Sequence, residues 1–152
     1  MRRSGVRSRA RWFTRRSARA GSLPSPEALE LAQLLVRKAE GDESVLDRLL
    51  DDPDVPDDVL GFHAQQAIEK RLKAVLAFHE IEYDRTHSIG YLTSLLQHHG
   101  IDLPAGREQI EELTPWAVAA RYEDRFEEVL DRGAVRKQMS IVREWSGRLL
   151  AE

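Results

Sequence analysis

Residues 61–76 read Gly61-Phe62-His63-Ala64-Gln65-Gln66-Ala67-Ile68-Glu69-Lys70-Arg71-Leu72-Lys73-Ala74-Val75-Leu76. Apolar residues recur here at intervals of three and four, the spacing that places side chains on one face of an α-helix. The pattern extends back to Asp57-Asp58, whose charges complement the positive end of a helix macrodipole. The apolar positions are Leu60, Ala64, Ala67, Ile68, Leu72, Val75 and Leu76. We therefore predict a long helix that begins near residue 57 and buries a single stripe.

Signals for another helix precede this segment. Ser25-Pro26-Glu27 combines a capping hydroxyl, a proline suited to the first helical position and an acid in the first turn. We expect this helix to run towards Gly41 and a short acidic helix to follow over residues 45–50. Residues 51–56 contain two prolines among aspartates, a composition that favours a loop.

Three further helical segments are predicted downstream. One begins between residues 86 and 88 and ends at Gly100, and a second covers residues 107–122 with a break at Thr114-Pro115. The last follows Gly133, and its inward positions are Val135, Met139, Val142, Ser146 and Leu149. Because no segment alternates with the period of two that is typical of strands, we predict an all-α fold. The expected architecture is a single up-and-down helical bundle of five or six helices.

Charge is divided unevenly along the chain. Residues 1–26 hold eight of the 23 basic residues and none of the 26 acidic ones, so residues 27–152 keep 15 basic and 26 acidic residues, a net charge of −11. A domain this acidic disfavours the binding of a polyanion unless its basic residues gather on one face.

The chain has no cysteine, which excludes disulfides, thiolate metal sites and a cysteine nucleophile. No apolar run approaches the roughly 20 residues that cross a bilayer, so we expect a soluble, cytoplasmic protein that contacts no membrane.

Residues 1–25 are expected to lie outside the folded domain, which we assign to residues 26–152. This basic extension has too few apolar residues to offset the entropy lost on ordering. Three interpretations stay open. The segment is a nucleic-acid arm in which arginines, Trp12 and Phe13 contact phosphates and bases, an organelle transit peptide, or a poorly ordered extension upstream of the true start.

Four segments of the chain together resemble one known family. In residues 61–76 an aromatic-His-small-Gln-Gln-Ala run precedes Glu-Lys-x-x-Lys, and Arg85-Thr86-His87-Ser88 follows, with serine in place of the usual acid. Pro115-Trp116-Ala117-Val118 and Ala120-Arg121-Tyr122 come next, in the expected order. This set is similar to the signature of the HEPN domain (higher eukaryotes and prokaryotes nucleotide-binding), a small helical bundle found beside nucleotidyltransferases and in bacterial defence systems.

The resemblance implies a homodimer that pairs with a minimal nucleotidyltransferase in a toxin–antitoxin or defence module and that contacts nucleotide or RNA. Many ribonucleases of this family share an arginine, four to six residues and then a histidine. Here no histidine follows His99, seven residues separate Arg71 from His79, and one separates Arg85 from His87. The absence of the motif favours a non-catalytic module that needs no cofactor.

Two alternatives remain. One is a metal-independent HEPN ribonuclease with a non-standard site that joins His87 to Arg121 or Tyr122. The other is a nucleotide- or substrate-binding domain similar to the helical half of aminoglycoside nucleotidyltransferases.

Several polar residues on and after the long helix are candidates for ligand or interface contacts. They are His63, Gln66, Glu69, Lys70, Lys73 and Arg85. Glu69 and Lys73 lie four residues apart, the better orientation for a helical ion pair, and this pair is either an ordinary surface pair or part of a site. The stripe formed by His63, Gln66 and Lys70 faces a partner helix or a cavity. At the predicted helix start near residue 87, the His87 imidazole or the neighbouring Thr86 and Ser88 cap free backbone N–H groups. Alternatively, His87 contacts phosphate beside Lys70 or Lys73.

Two other features have simple interpretations. His98 and His99 project about 100° apart on a helix, so they favour interaction with the helix dipole over a shared metal ion. On the last helix, Trp145 lies among Arg143, Glu144 and Arg148. Aromatic and arginine residues are enriched in interface cores, so we predict that this helix forms a dimer interface.

Overall fold

The structure is a computed structural model that describes residues 23–118 and 128–151. In these residues it contains five α-helices with defined bounds, a short helical stretch over residues 116–118 and no strand, and the predicted all-α bundle is confirmed. The helices are α1 (Pro26–Leu49), α2 (Asp57–Phe78), α3 (Ile89–His98), α4 (Arg107–Glu111) and α5 (Arg132–Leu149). No helix in the described part of the chain is long and apolar enough to cross a membrane. The basic segment 1–22 and residues 119–127, which include Arg121 and Tyr122, lie outside the described residues.

Helix α1 continues through Gly41 to Leu49, so the prediction of two separate helices here was wrong. A glycine inside a helix destabilises the helix by about 1 kcal/mol relative to alanine, and for this reason Gly41 indicated the end of the first helix. Packing outweighs that cost, because Ala39 precedes the glycine, Glu43 and Leu46 follow it, and all three are buried. Helix α1 packs along α2 over most of its length.

Helix α2 lies at the centre of the bundle and contacts α1, α3 and α5. It begins at Asp57, as predicted, and every predicted apolar position is buried. The prediction of a single buried stripe was too narrow, since Gln65, Glu69 and Arg71 are buried as well. Neighbouring helices cover α2 on more than one side, and its polar groups must therefore find partners inside the fold.

Arg132 fixes the loop between α1 and α2. Asp131 caps α5, so the helix begins at Arg132 and includes Gly133, which it was predicted to follow. The Arg132 guanidinium donates to the carbonyl oxygens of Leu50, Asp52 and Val55 at 3.2, 2.7 and 2.8 Å. It also pairs with the Asp57 carboxylate at 2.7 Å, which joins the start of α5 to the start of α2.

Trp145 belongs to the core of its own chain. Only 4% of the residue is exposed, and its indole Nε1 donates to the Asp102 carbonyl oxygen at 2.7 Å. The prediction that Trp145 forms a dimer interface was therefore wrong. The tryptophan packs beneath the segment that follows α3, a long-range contact that local spacing on α5 does not reveal.

Candidate functional site

A polar site joins one face of α2 to the segment that leads into α3. Gln65, Glu69 and Lys73 follow one another at intervals of four, which aligns them along the helix. Thr86 and His87 lie against this line. We call these five residues the Glu69 cluster.

The Glu69 carboxylate is the centre of the cluster. Only 5% of its side chain is exposed, and it accepts hydrogen bonds from Lys73 Nζ at 2.6 Å, Gln65 Nε2 at 2.8 Å and His87 Nδ1 at 3.0 Å. Burial alone raises the pKa of Glu69, but the three hydrogen bonds and the charge of Lys73 outweigh burial and bring that pKa below its ordinary value. The pair formed by Glu69 and Lys73 is therefore an ionised pair inside the fold, not an ordinary surface pair.

The other hydrogen bonds of the cluster hold the backbone before α3. Lys73 Nζ donates to the Thr86 carbonyl oxygen at 2.8 Å, and Gln65 Nε2 donates to that of His87 at 3.1 Å. The ammonium group also lies 5.6 Å from the centre of the Tyr83 ring, within range of a cation–π interaction. Burial and the nearby Glu69 charge raise the pKa of the Tyr83 phenol. The cluster thus attaches residues 83–87 to α2.

His87 is the exposed member of the cluster. An ionised carboxylate can only accept a hydrogen bond, so the imidazole Nδ1–H donates to Glu69 and Nε2 is the other ring nitrogen. The side chain is 59% exposed, which makes the ring accessible to a ligand. Of the residues predicted to cap this helix start, Ser88 is the one at the N-cap of α3, where its hydroxyl accepts from the Tyr91 backbone N–H at 3.2 Å.

A second polar group, the Asp42 cluster, lies between α1 and α2. His63 Nδ1 is 2.9 Å from one carboxylate oxygen of Asp42, and Lys70 Nζ donates to the other. The predicted stripe on α2 therefore divides between two sites, because Gln66 bonds to Gln65 at 2.7 Å instead. Of the two lysines considered as neighbours of His87, the structure places Lys73 there and Lys70 at Asp42.

The remaining candidates are dispersed. Arg85 is exposed and makes no hydrogen bond or ion pair with the described residues. His99 Nδ1 donates to the Leu95 carbonyl oxygen at 2.9 Å at the end of α3. Within residues 23–118 and 128–151, no group of three or more histidine and carboxylate side chains is arranged to hold a metal ion.

Sequence reasoning missed one residue of the Glu69 cluster, Gln65, and one packing residue on the same helix, Gly61. Gln65 was not a candidate, although its spacing of four from Glu69 was a usable signal. Gly61 was quoted only as the start of a motif, yet a Cβ atom added there would lie 2.2 Å from Cε3 of Trp116. The glycine lets α2 approach the Trp116 ring, so the first and third family-like segments touch directly.

The family model for the HEPN domain matches residues 32–149, most of the chain. HEPN domains are modules associated with nucleotides and RNA. No curated protein and no solved structure matches the chain. The matched range contains all five helices except the first turns of α1, together with both polar clusters. The chain belongs to the HEPN domain family.

Proposed function

We propose that this HEPN domain is a non-catalytic interaction module. It acts in the cytoplasm as a homodimer and pairs with a minimal nucleotidyltransferase in a toxin–antitoxin or defence system. The observation that carries the proposal is the pairing inside the Glu69 cluster, where one buried carboxylate pairs with Lys73 and holds His87 through Nδ1 alone. Lys70, the other lysine considered as a phosphate contact, is paired with Asp42. Lysines used to hold the fold together are poorly placed to hold a phosphate as well.

Overall charge supports the same proposal. Residues 27–152 carry a net charge of −11, so an RNA strand approaching the domain meets a net repulsion. We expect contact with nucleotide or RNA to depend on the partner protein, which supplies the missing positive charge.

A ribonuclease assay tests the non-catalytic part. The purified full chain is incubated with total cellular RNA beside a His87→Ala, Arg121→Ala double variant. We expect the two proteins to give the same RNA pattern. Cleavage by the wild type that the double variant loses would refute a non-catalytic function. Cleavage that survives in the variant would point to a contaminant or to a different site.

Co-purification tests the partner. If the adjacent reading frame contains Gly-Ser followed by paired aspartates, its product is the expected nucleotidyltransferase. Co-expression with only one protein tagged should yield a complex of the two after size exclusion. Separate elution of two folded proteins would refute the pairing while leaving the ribonuclease result untouched.

A metal-independent ribonuclease is the second candidate, and one observation favours it. Glu69 orients His87 through Nδ1, which leaves Nε2 on an exposed ring, an arrangement suited to a general base. Under this alternative His87→Ala abolishes cleavage outright. Glu69→Gln lowers the cleavage rate and changes its pH profile, because the imidazole loses its carboxylate partner.

A further inference from the structure

The first half of α1 has an exposed face with an apolar centre. Leu31 is 44% exposed and Leu34 is 41% exposed, whereas Ala32 is buried against the bundle. Glu27, Glu30 and Arg37 lie on the same surface of α1 as the two leucines. We call these five residues the α1 face. Two half-exposed leucines on an otherwise polar helix are a small surface that a partner can cover.

Charges on the α1 face are ordered along the helix. Glu27 and Glu30 lie towards its N-terminus, Arg37 lies towards its C-terminus, and the leucines lie between them. Such a face is complementary to itself when a second copy runs in the opposite direction, because each acidic end then meets a basic end. A parallel arrangement would place like charges together. A two-fold symmetric contact requires this kind of self-complementarity.

We propose that the α1 face is the surface through which two copies of this chain associate, with the two α1 helices antiparallel. Leu31 and Leu34 of both copies form the centre, and Glu30 of each copy pairs with Arg37 of the other. This inference rests on the homodimer included in the proposed function and names the surface that forms it.

The size of the face sets the expected affinity. Residues 27 to 37 span about 15 Å of helix, so the contact belongs to the small, weak class of interfaces. Dimerisation should therefore depend on concentration. Sedimentation equilibrium of the full chain, from about 5 to 500 µM, covers the micromolar range expected for this class.

Charge variants give a sharp test. Glu30→Arg and Arg37→Glu each replace two attractive contacts by two repulsive ones, and each should weaken association about tenfold or more. Combining both changes in one chain restores opposite charges and should restore the dimer. Mixing the two single variants should also give a heterodimer, since all its charge pairs are then attractive. The residues are exposed, so far-UV circular dichroism should show unchanged folding.

Glu144→Arg on α5 is the matched control and should not alter the dissociation constant. The proposal is overturned if Glu144→Arg dissociates the dimer while the α1 variants do not, or if the combined swap fails to restore what the single changes remove. A wild-type chain that stays monomeric to 500 µM overturns it too and removes the homodimer from the proposed function. The proposal that the domain is non-catalytic is tested separately, because the ribonuclease assay does not depend on whether the chain is a monomer or a dimer.

Discussion

Replacing Glu69 by alanine is the most informative perturbation of the fold. The change removes the acceptor for Lys73, Gln65 and His87 and leaves an ammonium group, with only 14% of its side chain exposed, without its carboxylate. Removing one partner of a buried ion pair costs about 3–5 kcal/mol. Lys73 keeps its hydrogen bond to the Thr86 carbonyl oxygen, so we expect the lower end, a loss of about 3 kcal/mol in the free energy of unfolding. In a domain of this size that corresponds to a melting temperature lower by about 10 °C.

Urea denaturation at pH 7, followed by far-UV circular dichroism, measures the loss. Asp51→Ala is the control, because the ion pair of Asp51 and Arg136 is largely exposed and should contribute about 0–1 kcal/mol. The double variant Glu69→Ala, Lys73→Met removes both charges and should recover part of the loss, since the cation is no longer left without a partner. A Glu69→Ala chain that unfolds at nearly the same urea concentration as Asp51→Ala would refute the reasoning.

Four further predictions concern two glycines, the pH dependence of the Glu69 contribution and the basic N-terminal segment. Gly61→Ala should lower the free energy of unfolding by about 3 kcal/mol or more, measured by urea denaturation, because the new methyl group overlaps Trp116. Gly41→Ala should raise it by about 0.5–1 kcal/mol in the same assay, since the position is helical and a Cβ meets nothing within 4 Å. The destabilisation by Glu69→Ala should be constant above the ordinary pKa of 4.5 and should shrink as pH falls through the lower pKa in the folded chain, because protonation then removes the same charge from the wild type. A chain beginning at Ser22 should have the same melting temperature as the full chain in a thermal melt. A melting temperature lower by several degrees would mean that the basic segment docks on the domain.

Local signals in the sequence were enough to predict most helix starts. Ser25 accepts from the Ala28 backbone N–H and Ser88 caps α3, so each of these starts is encoded within a few residues. The end of α1 was missed because tertiary contacts decide it. Burial of Glu43 and its hydrogen bonds to Arg71 stabilise the turns after Gly41, and neither contact can be read from helix propensity.

Much less of the candidate site could be predicted. The pair of Glu69 and Lys73 follows from a spacing of four, but its burial depends on how the segment before α3 crosses α2. His63 and Lys70 suggested a stripe, whereas their partner Asp42 lies on another helix, 21 and 28 residues away. Periodicity locates the face of a helix that carries polar groups, and it does not identify the side chains that meet them.

The family-like residues on α2 have structural roles in this fold. Gly61, Gln65, Glu69 and Lys73 recur every four residues, and each of them contacts another part of the chain: the glycine faces Trp116, and the three polar residues hold the segment that includes His87. In this chain these residues therefore have structural roles that do not depend on whether it cleaves RNA. Membership of the family therefore assigns the fold more firmly than it assigns an activity. An activity has to be sought in groups that the bundle leaves accessible, and His87 and the α1 face are two such places.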